Sequence, residues 1–301
     1  MSTASRAAHL LVIDGQNDFC DIPNGLLPLV HGEDGSVLHR EQPALAVPGA
    51  HADMIRLAAF IDAAGSLLSR ITATLDSHPV VAIERTTFWL DAQGNEVPPF
   101  TVVTCASVTQ GRYRPRHGDM IEPVSGEPLS EFVVELLDKL ERVGKTLMVW
   151  PVHCVTGTWG HNIHSALADR LCKWEILTGQ VVDKVFKGEY PLTEHYGVFE
   201  AETPVLEIAS TLFNSNLARK LDVRANPLFI GGEASSHCVP ASYFQYLRHR
   251  EGDGSGIYLL SDCMSPVPGF ERDAADFFER AKSAGSQIVT TNEALAVLRA
   301  I

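Results

Sequence analysis

Short apolar, β-branched runs alternate along the chain with stretches whose apolar residues recur at helical spacing. The runs cover residues 9–14, 71–75, 146–150, 228–231, 257–261 and 287–290. Continuous apolar runs of this length predict strands buried on both faces. Two more, 174–177 and 181–186, fit either strands or extended connections. Helical spacing covers 50–69, 127–142, 162–171, 204–221, 239–250 and 272–284, and several of these stretches stop at glycine, as a helix end favours. Strand and helix in alternation, joined by right-handed crossovers, predict an α/β fold of three layers, α/β/α, with a mainly parallel sheet of about six strands. In such sheets ligands bind at the carboxyl ends of the strands.

Residues 20–48 and 91–128 break the rhythm, and the chain carries further inserted length near 188–227. They read as ordered insertions in a single domain spanning 1–301, because a linker would separate two complete cores. A chain of 301 residues, 45% apolar, carries enough apolar side chain for one core of that size. The formal net charge of −13 argues against nucleic acid and anionic membrane, which need a basic surface to displace counterions. No run approaches the roughly 18 to 20 apolar residues of a membrane span, and residues 1–8 hold no apolar segment of signal type. A cytoplasmic protein with a small-molecule substrate is expected, assembled as a homo-oligomer. Six cysteines without a CxxC pair fit neither a disulfide framework nor a zinc ribbon.

Chemistry concentrates where the strands end. The first finishes in Asp14, within VIDGQNDF; a carboxylate leaving a buried strand is half-desolvated, which raises its pKa toward that of a general base. Capping the following turn is the structural alternative. The second run ends in LDSHP, where Asp76 and His78, two apart on extended chain, point the same way. The third ends in WPVHC. Its His153 would complete a set of one carboxylate and two imidazoles, suited to zinc, iron or manganese, unless it is simply a buried histidine. Cys154 competes for the same role, and Glu84 is the candidate extra metal ligand. In GGEASSHCVP a strand passes through small residues into a helix whose first turn holds Cys238. The unpaired N–H groups there favour thiolate and can hold an oxyanion. Lys184 and Lys187 lie near the end of the 181–186 run, where one of them can keep its charge beside Asp14.

VIDGQNDF, LDSHP, WPVHC with GTWG, the Lys-Gly pair with Tyr196 and Phe199 downstream, and GGEASSHCV together resemble the isochorismatase-like cysteine hydrolase superfamily, in its nicotinamidase/pyrazinamidase branch. The resemblance implies Asp14, Lys187 and Cys238 as catalytic residues; Lys187 rather than Lys184, because the family's lysine precedes a glycine. It implies an oxyanion hole at the N–H groups of Ala234 and Cys238, commonly with a cis peptide before the alanine. It implies one divalent transition metal, zinc first with iron or manganese as alternatives, on Asp76, His78 and His153. The ring pocket would correspond to Phe19, Trp150, Tyr196 and His237. The implied activity is hydrolysis of nicotinamide to nicotinate, a step of NAD salvage. Where many members carry a second histidine followed by Ser-Phe, residues 80–89 read VVAIERTTFW, which leaves Glu84. Action on another small amide or ureido compound, vinyl-ether hydrolysis, a non-catalytic binding role and redox thiol chemistry are the rivals. Cys238 alongside intact ligands counts against the second, the presence of Asp14, Lys187 and Cys238 together against the third, and the lack of a nearby cysteine against the fourth.

Overall fold

The computed structural model describes residues 8–222 and 226–300. The start of the chain, where no signal segment is expected, falls outside them, as do residues 223–225 within the third insertion.

Six strands form the central sheet: β1 Ala8–Ile13, β2 Leu68–Asp76, β3 Asp183–Lys187, β4 Leu228–Gly232, β5 Ile257–Leu260 and β6 Gln287–Val289. Their order is β6-β5-β4-β1-β2-β3, and every neighbouring pair is parallel. The chain runs from β1 outward to β3, then returns to the other side of β1 and builds outward again from β4. Strand order therefore reverses between β1 and β4, which is where a crevice opens at the carboxyl ends.

Side chains along β1 alternate between two cores. Leu10 and Val12 pack on one face with helices α1 (Ala50–Ala64) and α3 (Ser165–Thr178), through Met54, Leu57, Phe60, Leu167 and Trp174. Leu11 and Ile13 face the other way, onto α4 (Cys238–His249) and α5 (Glu271–Ser283), through Val239, Tyr243, Tyr246 and Phe277. Helix α6 (Thr291–Ala300), which the pattern did not single out, closes the first face with Ala294 and Leu298. Period-two alternation in a strand covered on both sides explains why its sequence reads as continuously apolar. A third apolar cluster lies in the 83–149 region, where α2 (Leu129–Arg142) packs Val133, Leu136 and Leu140 against Phe88, Trp89, Val103 and Val149.

Three expectations change. The run at 146–150 forms a strand, Leu147–Val149, but it pairs antiparallel with Thr101–Val103 in a separate ribbon; β3 takes the sixth place in the sheet. A short apolar run specifies extended backbone and not its partner. Residues 174–177 are not strand: they continue α3, whose Leu167, Leu171 and Trp174 face the core at helical spacing while Ile176 and Leu177 are exposed. The 204–221 stretch holds a 3-10 turn at Ala209–Thr211 and one short α-helix, Ser215–Lys220, capped by the Asn214 side chain. Upstream, Thr211 Oγ1 donates to the Val205 and Ile208 carbonyls, and such local bonds compete with helix.

Gly232 closes β4 with φ at +123°, and a Cβ there would stand 1.9 Å from the Ile13 carbonyl oxygen. Backbone cannot yield as a flexible side chain does. Gly232→Ala should lower unfolding free energy by at least about 3 kcal/mol, read as a large drop in urea midpoint; an unchanged midpoint would contradict the close packing of β1 on β4.

Candidate functional site

Sheet register gathers the reactive groups. Ile13 pairs with Gly232 and Asp76 with Lys187, so the residues leaving β1, β2, β3 and β4 meet at one rim. Asp14 turns out of β1 at φ +42°. Its N–H donates to Thr74 Oγ1 at 3.0 Å, and that hydroxyl donates back to Asp14 Oδ1 at 2.6 Å. The Lys187 ammonium lies 2.9 Å from Asp14 Oδ2, 2.8 Å from Asp76 Oδ1 and 3.7 Å from Cys238 Sγ. Lys184 points outward on the exposed side of β3, because successive strand residues face opposite ways. Of the two candidate lysines, the structure brings only Lys187 to the acids.

Cys238 opens α4 at the end of the turn that leaves β4, and the Glu233–Ala234 peptide in that turn is cis. His237 N–H and Val239 N–H both donate to the Ala234 carbonyl. Among the described residues, the N–H groups of Ala234 and Cys238 donate to no acceptor. They remain available at the thiol, as an oxyanion hole requires.

Burial decides the protonation states. It pushes the Asp14 carboxyl up, against the pull of Lys187, and pushes the Cys238 thiol well above its ordinary range despite Lys187, with Asp14 in hydrogen-bond contact adding to the rise. The helix start does not by itself yield a resting thiolate; desolvation outweighs it, and the thiol needs a base beside it. Asp76 would also rise on burial, but the His78 and Lys187 charges hold it well below the usual carboxylate range.

VIDGQNDF does more than deliver Asp14. The Gln16 amide clamps Asp76, accepting from its N–H at 2.7 Å and donating to its carbonyl at 2.9 Å. Asn17 Nδ2 donates to the Trp159 carbonyl, and Asp18 Oδ2 accepts from Cys154 N–H at 2.7 Å. The motif thereby anchors the loop carrying His153. Cys154 contributes its backbone, with its carbonyl accepting from His78 N–H.

Asp76, His78, Glu84 and His153 lie together. Asp76 Oδ1 is 2.8 Å from His78 Nε2, Asp76 Oδ2 is 3.3 Å from His153 Nε2, and Glu84 Oε1 is 2.9 Å from His78 Nδ1. The His78 ring rests on Gly188, where a Cβ would approach it to 2.3 Å, a physical reason for glycine after Lys187. A carboxylate and two imidazoles suit a divalent transition ion. Glu84 meets the far nitrogen of His78, the place of a carboxylate that orients a ligand histidine, so it is better placed to support His78 than to serve as an extra ligand. The set is not arranged as an open metal centre: among the described residues no three ligand-type side chains are so grouped. Arg85 stands among these side chains. Its Nη1 lies 2.6 Å from His153 Nδ1, its Nε 3.4 Å from Glu84 Oε1 and its Nη2 4.0 Å from Asp76 Oδ2. The donor set of Asp76, His78 and His153 has the chemistry of a divalent-ion site.

The cavity above Cys238 is walled by Phe19, Trp150, Tyr196 and His237. Trp150 Nε1 donates to Tyr196 Oη at 2.9 Å, and the Trp150 and His237 rings stand 5.1 Å apart, edge to face. These walls suit a flat ring. Sequence reasoning missed Arg85, Glu194 and His195 in the same cavity, and Thr74 behind Asp14. Thr74 was findable, since it sits two residues before Asp76 on one strand face. Arg85 had a signal too, as the neighbour of Glu84 in the stretch that departs from the family's pattern.

Lys187 carries the only ammonium between two buried acids that the described residues place here. Lys187→Met should cost about 3 to 5 kcal/mol, since removing one partner of a buried ion pair leaves uncompensated charge. Lys184→Met should stay within about 0.5 kcal/mol. Urea unfolding of both variants checks this, and equal effects would contradict the assignment.

No protein-family model and no curated protein matches the chain. Solved structures do. The yeast nicotinamidase Pnc1p is 19% identical at a TM-score of 0.59, over 94% of this chain and 99% of that one. An Acinetobacter baumanii nicotinamidase/pyrazinamidase is 16% identical at 0.57, over 97% and 99%. PnC1 from L. infantum, solved in complex with nicotinate, is 18% identical at 0.51, over 97% and 96%. This chain has the three-layer α/β/α fold of these nicotinamidases.

Proposed function

We propose that the chain is a cysteine amidohydrolase that releases ammonia from a small amide, with nicotinamide as the leading substrate. The observation that carries this reading is the contact of one buried ammonium with two acids and a thiol, Lys187 with Asp14, Asp76 and Cys238, beside two free N–H groups. In this reading Asp14 takes the Cys238 proton and the sulfur attacks the carbonyl carbon. The N–H groups of Ala234 and Cys238 hold the developing oxyanion. Asp14 returns the proton to the leaving nitrogen, ammonia departs, and a thioester remains on Cys238. Water then attacks the thioester, with Asp14 accepting its proton, and frees the acid and the thiol. Lys187 keeps Asp14 oriented and supplies positive charge throughout. A divalent ion on Asp76, His78 and His153, zinc by preference, would when bound offer a Lewis-acidic anchor for a ring nitrogen or other polar substituent. Phe19, Trp150, Tyr196 and His237 hold the ring flat over the sulfur. Nicotinate formation for NAD salvage in the cytoplasm is the setting this reading implies.

Arg85 and Glu194 in the cavity wall favour a second reading, a related hydrolase acting on another small amide or a ureido compound. Ammonia release across a panel including nicotinamide, pyrazinamide and aliphatic amides separates the two.

Cys238→Ala should reduce ammonia release by about a thousandfold or more with the fold retained, and residual turnover near the wild-type rate would overturn the nucleophile. Protein purified without chelators should carry about one transition metal per chain by elemental analysis, and Asp76→Ala should lose it. No metal even after reloading would remove the Asp76, His78 and His153 site.

A further inference from the structure

Glu233 stands immediately before Ala234, yet the chemistry proposed above gives it no task. It is buried, and so is Asp53 on α1. The two carboxyls grip one residue between them. Ser265 N–H donates to Glu233 Oε2 at 3.1 Å, and Ser265 Oγ donates to Asp53 Oδ2 at 2.5 Å. The Ser265 carbonyl in turn accepts from Ser235 N–H at 2.9 Å. Gly49 leaves room for this serine, since a Cβ there would come within 2.7 Å of its hydroxyl. Ser265 thus ties the turn carrying Ala234 to α1 on the far side of the sheet rim.

Charge counting sets the protonation of this pair. Arg56 bonds Asp53 and is the cation given to it. The other groups facing Glu233 are Asp21 from the first insertion and the Cys20 and Cys263 thiols, with Asp262 beyond Cys263 occupied by Thr291. Two buried carboxylates with one guanidinium would leave a desolvated negative charge uncompensated, which a buried acid avoids by keeping its proton. Burial and then Asp53 push the Glu233 carboxyl well above its ordinary range.

We propose that Glu233 is a positioning residue: it acts as the neutral acid that donates to Asp53, and the pair, through Ser265, fixes the turn that aims the Ala234 and Cys238 N–H groups at the substrate oxygen. This rests on the amidohydrolase reading. When Glu233 loses its proton, two like charges face each other across Ser265 and the turn loosens, so the rate of the chemical step falls while substrate binding by the ring pocket persists.

The test measures kcat and KM for ammonia release from nicotinamide against pH in wild type, Glu233→Gln and Glu233→Ala. Glutamine can donate to Asp53 and accept from Ser265 without titrating. Glu233→Gln should keep kcat within about twofold at neutral pH and lack the alkaline decline of the wild type, while Glu233→Ala should lose about tenfold or more in kcat with a smaller change in KM. A glutamine variant as impaired as the alanine one, or one with the wild-type alkaline decline, would overturn the proposal. Thermal midpoints of wild type and Glu233→Gln against pH add an arm independent of activity. Because the folded-state pKa is raised, Glu233 contributes stability below its unfolded pKa that is lost as pH rises toward the folded one. The glutamine variant should therefore gain on wild type as pH increases above the ordinary carboxylate range. Parallel curves would overturn the paired proton. If wild type releases no ammonia from nicotinamide, the functional reading fails at that point and the thermal arm alone decides the pair.

Discussion

One buried ammonium organises the site. Lys187 enters from β3 and lies within 3 Å of carboxylate oxygens on residues leaving β1 and β2. Without it, Asp14 and Asp76 would face each other as like charges in a dry crevice, and one would have to keep a proton. With it, Asp76 stays ionised and Asp14 remains poised, its carboxyl raised by burial yet held by Lys187 and Thr74. The parallel register of β1, β2 and β3 places these groups together, so sheet topology and site electrostatics are one constraint viewed at two scales.

The thiol depends on this arrangement. Burial pushes the Cys238 thiol toward its neutral form, so the proposed reaction would draw on transfer of its proton to Asp14 rather than on a standing thiolate. A neutral resting thiol is also less open to oxidation and to stray electrophiles. The same economy holds at Glu233 and Asp53, where Arg56 balances one of two buried acids. In both places two buried acids are accompanied by one cation, and Asp14 and Glu233 both follow the strand ends that lead toward Cys238.

Much of this was legible in the chain. Asp14, Asp76, Lys187 and Cys238 stand where apolar runs end, and strand ends at one rim of a parallel sheet must converge. The three-layer fold followed from strand and helix alternation. Other features depend on partners that local pattern does not encode. The 146–150 run does form a strand, but nothing within it says that Thr101–Val103, rather than β2, will pair with it. Residues 174–177 look β-prone only until Trp174 is seen to continue the Leu167 and Leu171 stripe of α3. Arg85 reads as a surface arginine beside a candidate ligand; its burial against His153 arises because the 80–89 segment bonds to the Trp150 backbone. Glu233 is invisible for the same reason, since Asp53 lies 180 residues away in sequence.

The central claim is that the Cys238 sulfur is acylated during turnover. Acid-quenching the enzyme while it consumes nicotinamide, followed by peptide mass spectrometry, tests this most directly. The account predicts the added mass of one nicotinoyl group on the peptide containing Cys238, absent from Cys238→Ala. Ammonia release at an undiminished rate with the Cys238 peptide never modified, or the added group on another residue, would contradict it.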